Sequence, residues 1–131
     1  MAADGVIRGP AGDGRFAPVA RDDVADSLVA MLTQAGHEGR TYNLTGPKAL
    51  TMTDIAREIS EATGQQVTFQ NETLEEARAS RAHYGAPAFE VEGWVTSYAA
   101  IATGEMNVVT DNVQVLSGHE PIGVREFLRR S

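Results

Sequence analysis

GDGRFAPVARDDVADSLVAML, running from Gly12 to Leu32, decides how this chain is built. With Gly9 just upstream, Gly12 and Gly14 crowd a loop and invite a phosphate-cradling reading. Such a cradle needs a strand before it and a helix directly after, so that the pyrophosphate meets a helix N-terminus. Here Arg15-Phe16-Ala17-Pro18 intervenes, so the glycines read as a flexible loop, followed by a brief strand-like run over 16–20 that Pro18 breaks. Beyond it the pattern turns helical. Asp22 or Asp23 is placed to cap a helix in which Val24, Leu28, Met31, Leu32 and Ala35 recur on one side.

Upstream, Gly5-Val6-Ile7-Arg8 is a short extended piece. Downstream, Thr41-Tyr42-Asn43-Leu44-Thr45 is the best strand candidate, ended by Gly46-Pro47. Thr51 or Thr53 opens a second helix that Gly64 closes, and Val67 to Gln70 reads as another strand. Thr73 with Glu76 has the spacing of a capping box, starting a third helix to about His83; its face lacks large apolar groups, which suits a peripheral position. Pro87 suits the first turn of a longer helix with the strongest amphipathic stripe in the chain: Val91, Trp94, Val95, Tyr98, Ile101 and Ala102. Shorter helices follow over 110–118 and 123–130, the latter with Val124, Phe127 and Leu128 facing inward. The expectation is an α/β chain of about six helices and two or three short strands, read as a single domain over 1–131. That is too few strands for a self-contained doubly wound sheet.

The 131 residues carry 18 acids against 11 bases, a net charge of −7, which argues against nucleic acid or an anionic membrane as partner. The absence of cysteine excludes disulfides and thiolate-ligated metals. No apolar run is long enough to span a bilayer, and the first ten residues lack the pattern of a secretory signal, so a cytoplasmic setting is expected. His37, His83 and His119 have no second ligand at metal-binding spacing, and no metal site is expected.

Taken together, Ala20-Arg21-Asp22-Asp23-Val24-Ala25 and Tyr42-Asn43-Leu44-Thr45-Gly46-Pro47 give the chain a family likeness, as does the closing Glu126-Phe127-Leu128-Arg129-Arg130. It resembles the C-terminal, substrate-binding half of NmrA-like atypical short-chain dehydrogenase/reductases, a group that includes NAD(P)H:quinone oxidoreductases within the wider epimerase/dehydratase superfamily. That resemblance implies the helix-rich substrate lobe of a Rossmann-type reductase, with the dinucleotide-binding half absent. It implies NAD(P)H as cofactor of a full-length relative, with the hydride chemistry belonging to the nicotinamide. For this chain alone the expectation is no bound cofactor and no activity.

The Tyr-x-x-x-Lys pair of typical superfamily members is missing, since the only lysine is Lys48, and no catalytic residue is assigned. Substrate-contacting candidates are Arg15, Phe16, Arg21, Trp94 and Tyr98. By resemblance, a basic residue at the place of Arg15 lies beside a bound substrate, and a guanidinium suits anion contacts while Phe16 offers a flat wall. The competing reading is a surface Arg beside a core Phe. Trp94 and Tyr98, one turn apart, read first as core packing, with a pocket wall as the alternative. Expected partners are a small-molecule substrate and either a second copy of the chain or a separate dinucleotide-binding half. Two other functions fit the resemblance: a regulatory dinucleotide sensor, and the substrate lobe of a nucleotide-sugar epimerase or dehydratase.

Overall fold

The computed structural model describes residues 3–131. Among them are six α-helices, one short 3-10 turn and a two-stranded parallel sheet, an α/β arrangement. No helix among the described residues is long and apolar enough to cross a membrane. The chain forms two compact units, each assembled from separated stretches of sequence.

The first unit takes the residues up to Phe16 together with Leu50–Asn107. Strand β1 (Val6–Gly9) pairs in parallel with β2 (Thr68–Asn71), with Ile7 opposite Phe69. Helix α2 (Met52–Thr63) opens on a capping box: the Thr51 hydroxyl accepts from the Asp54 N–H, and the Asp54 carboxylate accepts from the Thr51 N–H. The same reciprocal pair, Thr73 and Glu76, starts α3 (Leu74–Arg81), which tightens into the 3-10 turn Ala82–Tyr84. Helix α4 (Ala88–Ala102) follows Pro87. Ala11, Met52 and Ile101 form the buried centre, with Ile7, Phe16, Phe69 and Tyr98 packed around it.

The glycine loop is held, not flexible. Gly12 donates its N–H to the Asn71 side chain and Gly14 donates to the Ala11 carbonyl. A Cβ at Gly14 would stand 1.9 Å from the Ile101 carbonyl oxygen, and one at Gly9 2.7 Å from the Tyr98 ring. Gly9 and Gly14 are explained by close approach of the chain to α4. Phe16 makes a single antiparallel bridge to Leu50 where a brief strand was expected; Pro18, lacking an N–H, prevents a longer ladder.

The stripe on α4 divides. Val95 and Ile101 are buried and Tyr98 half-buried, while Trp94 is 39% exposed, so the expectation of a buried indole is corrected. Helix α3 lies mostly exposed, as its weak apolar face suggested: Ala77 alone is buried, and an exposed bidentate Arg78–Glu92 pair (2.8 and 2.9 Å) links it to α4.

The second unit comprises Ala17–Ala49 and Val108–Ser131. Helix α1 (Arg21–Thr33) packs on α5 (Asn112–Ser117), and α6 (Val124–Arg130) closes the chain. Neither Asp22 nor Asp23 caps α1. The cap position is Ala20, without a side-chain bond, and both carboxylates lie in the first turn, where the helix dipole favours them. Asp23 is buried and accepts from the Ile122 N–H at 2.9 Å. Residues 41–45 are extended but pair with no strand. Side chains take the place of a ladder: Thr110 and Asn112 donate to the Asn43 carbonyl, and the Thr45 hydroxyl accepts from the Thr110 N–H. Such short polar side chains compete with sheet hydrogen bonding for the same backbone groups. On α6, Val124 and Leu128 are half-buried, whereas Phe127 is 51% exposed, against the inward position expected of it.

His119 ties the α5–α6 loop to α1. Its Nε2 lies 2.8 Å from Asp26 and its Nδ1 3.0 Å from the Glu120 carbonyl. The Glu120 carbonyl first, then the Asp26 carboxylate, hold the imidazole pKa above its ordinary value.

Three outcomes follow from this packing. Gly14→Ala has no room and is expected to cost about 3 kcal/mol, whereas Gly93→Ala, in the α4 interior with nothing within 4 Å, is expected to gain roughly 0.5–1 kcal/mol. Val95→Ala should cost about 2 kcal/mol and the larger truncation Trp94→Ala no more than about that, because the indole is only partly buried. Urea melts check both pairs. Because the folded-state pKa of His119 is raised, its stabilisation is complete below the unfolded value of about 6.5 and is lost as pH rises through the folded value. Thermal melts of the wild type should therefore show a downward step in stability on the alkaline side of about pH 6.5 that His119→Gln lacks.

Candidate functional site

In the first unit, β1, the end of α3 with its 3-10 turn, and α4 enclose a cleft of about 660 Å³. One wall is aromatic. Tyr84 meets Trp94 edge-on, with ring centroids 6.1 Å apart and planes at 85°, and His83 lies against Tyr84 at 4.0 Å. Tyr98, one turn further along α4, extends this wall, so rings contributed by two elements border one space.

Arg81 fixes the base of the cleft. Its side chain is 12% exposed and pairs with the buried carboxylate of Glu72 at 3.1 Å. Nη1 also donates to the Ala77 carbonyl and the Ser80 hydroxyl, and Nη2 donates to the Arg8 carbonyl at 2.9 Å. The guanidinium carbon stands 5.6 Å from the centre of the Tyr98 ring, a cation–π distance. The pair therefore joins β1, α3 and α4 around the space.

Arg8 lines the same cleft, on the strand face that it shares with Val6 and opposite to Ile7. Its guanidinium pairs with Asp4, with the shorter contact 2.6 Å. That hydrogen bond holds the Asp4 carboxyl below the usual range and raises the pKa of Arg8.

Of the five residues singled out from sequence, the structure brings Trp94 and Tyr98 together in this cleft. Phe16 is half-buried against the Ala11–Met52–Ile101 centre, and the exposed Arg15 lies 3.9 Å from Asp54; neither lines the cleft. Arg21 belongs to the second unit, where with Ile122 and Phe127 it borders a separate cavity of about 530 Å³. Sequence reasoning missed Arg8, Arg81 and Tyr84. For Arg8 the alternation of the strand was a usable signal. Arg81 had none, because its acceptors Glu72 and the Arg8 carbonyl are nine and 73 residues away.

The chain is similar to quinone oxidoreductase 2 of Escherichia coli, at 40% identity over 83 residues, 63% of this chain and 29% of that protein. It is 30% identical over 120 residues to an NAD(P)H azoreductase of Xenophilus azovorans, covering 92% of this chain and 42% of the relative. The solved structure of the Escherichia coli NADPH-dependent quinone oxidoreductase complexed with NADPH superposes with a TM-score of 0.90 at 31% identity, over 97% of this chain and 45% of that one. No family model matches. The chain thus spans less than half the length of these relatives. Sequence and fold together make it a homologue of the NAD(P)H-dependent quinone oxidoreductase-like reductases.

Proposed function

We propose that these residues are the substrate-binding portion of a quinone- or azo-type reductase, and that the cleft of the first unit receives the planar conjugated acceptor. The observation that carries this reading is the aromatic wall of Tyr84, Trp94 and Tyr98 over a cleft of about 660 Å³. Flat conjugated rings gain from stacking or edge contacts with such a wall, about 0.5–1.5 kcal/mol for each aromatic contact beyond the area buried. Homology to a quinone oxidoreductase and an azoreductase supports the same class of ligand.

In relatives that carry NADPH, the nicotinamide supplies the hydride. The Gly9–Gly14 loop does not fit that cofactor, because a side chain at Gly9 or Gly14 would collide with α4 where a cradle would leave space. No step is therefore assigned to these residues beyond binding and orienting the acceptor. The cofactor in this reading is held by a separate dinucleotide-binding half, and the chain alone has no reductase activity.

Trp94 is the only tryptophan, so its fluorescence reports on the cleft directly. Titration with menadione is expected to quench it saturably with a Kd of roughly 10–100 μM, to weaken about fivefold or more in Tyr98→Leu, and to leave NADPH unoxidised. Quenching that rises linearly without saturation, as for free tryptophan, would overturn the reading.

A further inference from the structure

We propose that the cleft selects planar aromatic ligands bearing an anionic substituent, a carboxylate or sulfonate, and that Arg8 is the residue that receives the charge. This inference rests on the reading of the cleft as an aromatic-acceptor site and names the class of acceptor. The chain as a whole is acidic, at −7, and so repels anions at long range. Yet the residues that line the cleft include Arg8, Arg81 and His83, and no carboxylate. Among the described residues the groups that face the cleft are thus cationic, and the carboxylates that balance the two guanidiniums, Asp4 and Glu72, are not part of its lining.

The two guanidiniums play different parts. Arg81 is committed to the fold, with the buried Glu72 carboxylate, two carbonyls and a hydroxyl as its acceptors. Glu72, the other acid whose field reaches Arg8, is itself committed to Arg81. Arg8 is held only at the surface. Its partner Asp4 lies four residues away, with side chains 32% and 49% exposed. Exposed pairs of this kind are weak and screened by salt, and the Asp4 carboxylate also accepts from the Val6 N–H at 3.1 Å, a bond it can keep when an incoming oxyanion takes its place on Arg8.

The entering group gains what Asp4 lacks. Its ring covers the Trp94 and Tyr98 faces, and the ion pair then forms beside an apolar wall, where attraction is stronger than in open water. The planar fork of Arg8 matches a carboxylate or sulfonate with two parallel hydrogen bonds.

The test compares anthraquinone sulfonate with hydroxymethyl anthraquinone, a neutral ligand of similar shape, by quenching of Trp94. In the wild type the sulfonate should bind about tenfold more tightly, and raising the salt should weaken the sulfonate alone. Arg8→Met should erase the preference for the sulfonate over the neutral ligand. Asp4→Asn, which frees Arg8 without altering it, should tighten sulfonate binding several-fold, and it decides the matter even if Arg8→Met folds poorly. Equal affinities in the wild type, a preference that survives Arg8→Met, or no effect of Asp4→Asn would overturn the assignment of Arg8. In that event saturable binding of the neutral ligand leaves the aromatic-acceptor site standing. Failure of both ligands to saturate sinks the site and this inference together.

Discussion

Arg81 and Glu72 form the contact on which the first unit turns. Both side chains are withdrawn from water, and a charge left alone there would be costly, so neither residue is dispensable once the other is present. Breaking such a buried pair by removing one partner typically costs about 3–5 kcal/mol. The pair is also where separate elements meet. Arg81 ends α3, its Nη2 reaches the β1 carbonyl of Arg8, and its guanidinium carbon stands over the Tyr98 ring of α4. The Glu72 backbone N–H continues the attachment to β1 by donating to the Gly9 carbonyl. Strand pairing, the end of α3 and the aromatic wall are therefore set by one ion pair.

Close backbone contact completes what the ion pair begins. With no side chain at Gly9, the Tyr98 ring lies directly over β1, and with none at Gly14 the loop rests on the last turn of α4. Tyr98 is thus gripped from beneath by a glycine and from the side by a guanidinium, which fixes its ring as part of a rigid surface. The outer part of the wall, Tyr84 and Trp94, is more exposed and is held chiefly by its own edge-on contact.

What could be read from sequence was whatever depended on neighbours along the chain. The Thr73–Glu76 capping box was expected and is present, and of the two caps offered for α2, Thr51 or Thr53, the structure takes Thr51, in a box with Asp54; in both, the partners are three residues apart. The extended pieces around Val6 and Thr68 were also legible, although their mutual pairing was not. Tyr42–Thr45 misled because its alternation is that of a strand, while the groups that satisfy its backbone, Thr110 and Asn112, lie more than sixty residues on. Trp94 misled because helical spacing reports which side of α4 is apolar, and that side faces both the buried centre at Ile101 and the open cleft. The site was half legible for the same reason: Trp94 and Tyr98 belong to one helix, whereas Tyr84 comes from the 3-10 turn and the guanidiniums from β1 and the end of α3.

The two units are interleaved along the chain. The first is interrupted by Ala17–Ala49, and the second is interrupted by Leu50–Asn107. Strand β1 must wait for more than fifty residues to emerge before its partner β2 exists, and a parallel pairing gains nothing until that long loop has closed. In the same way α1 meets its partner α5 only after the intervening segment has been made. No single cut separates one intact unit from the other. Each unit is completed only by sequence that lies beyond a part of its counterpart, so assembly is governed by order of emergence as much as by contact strength.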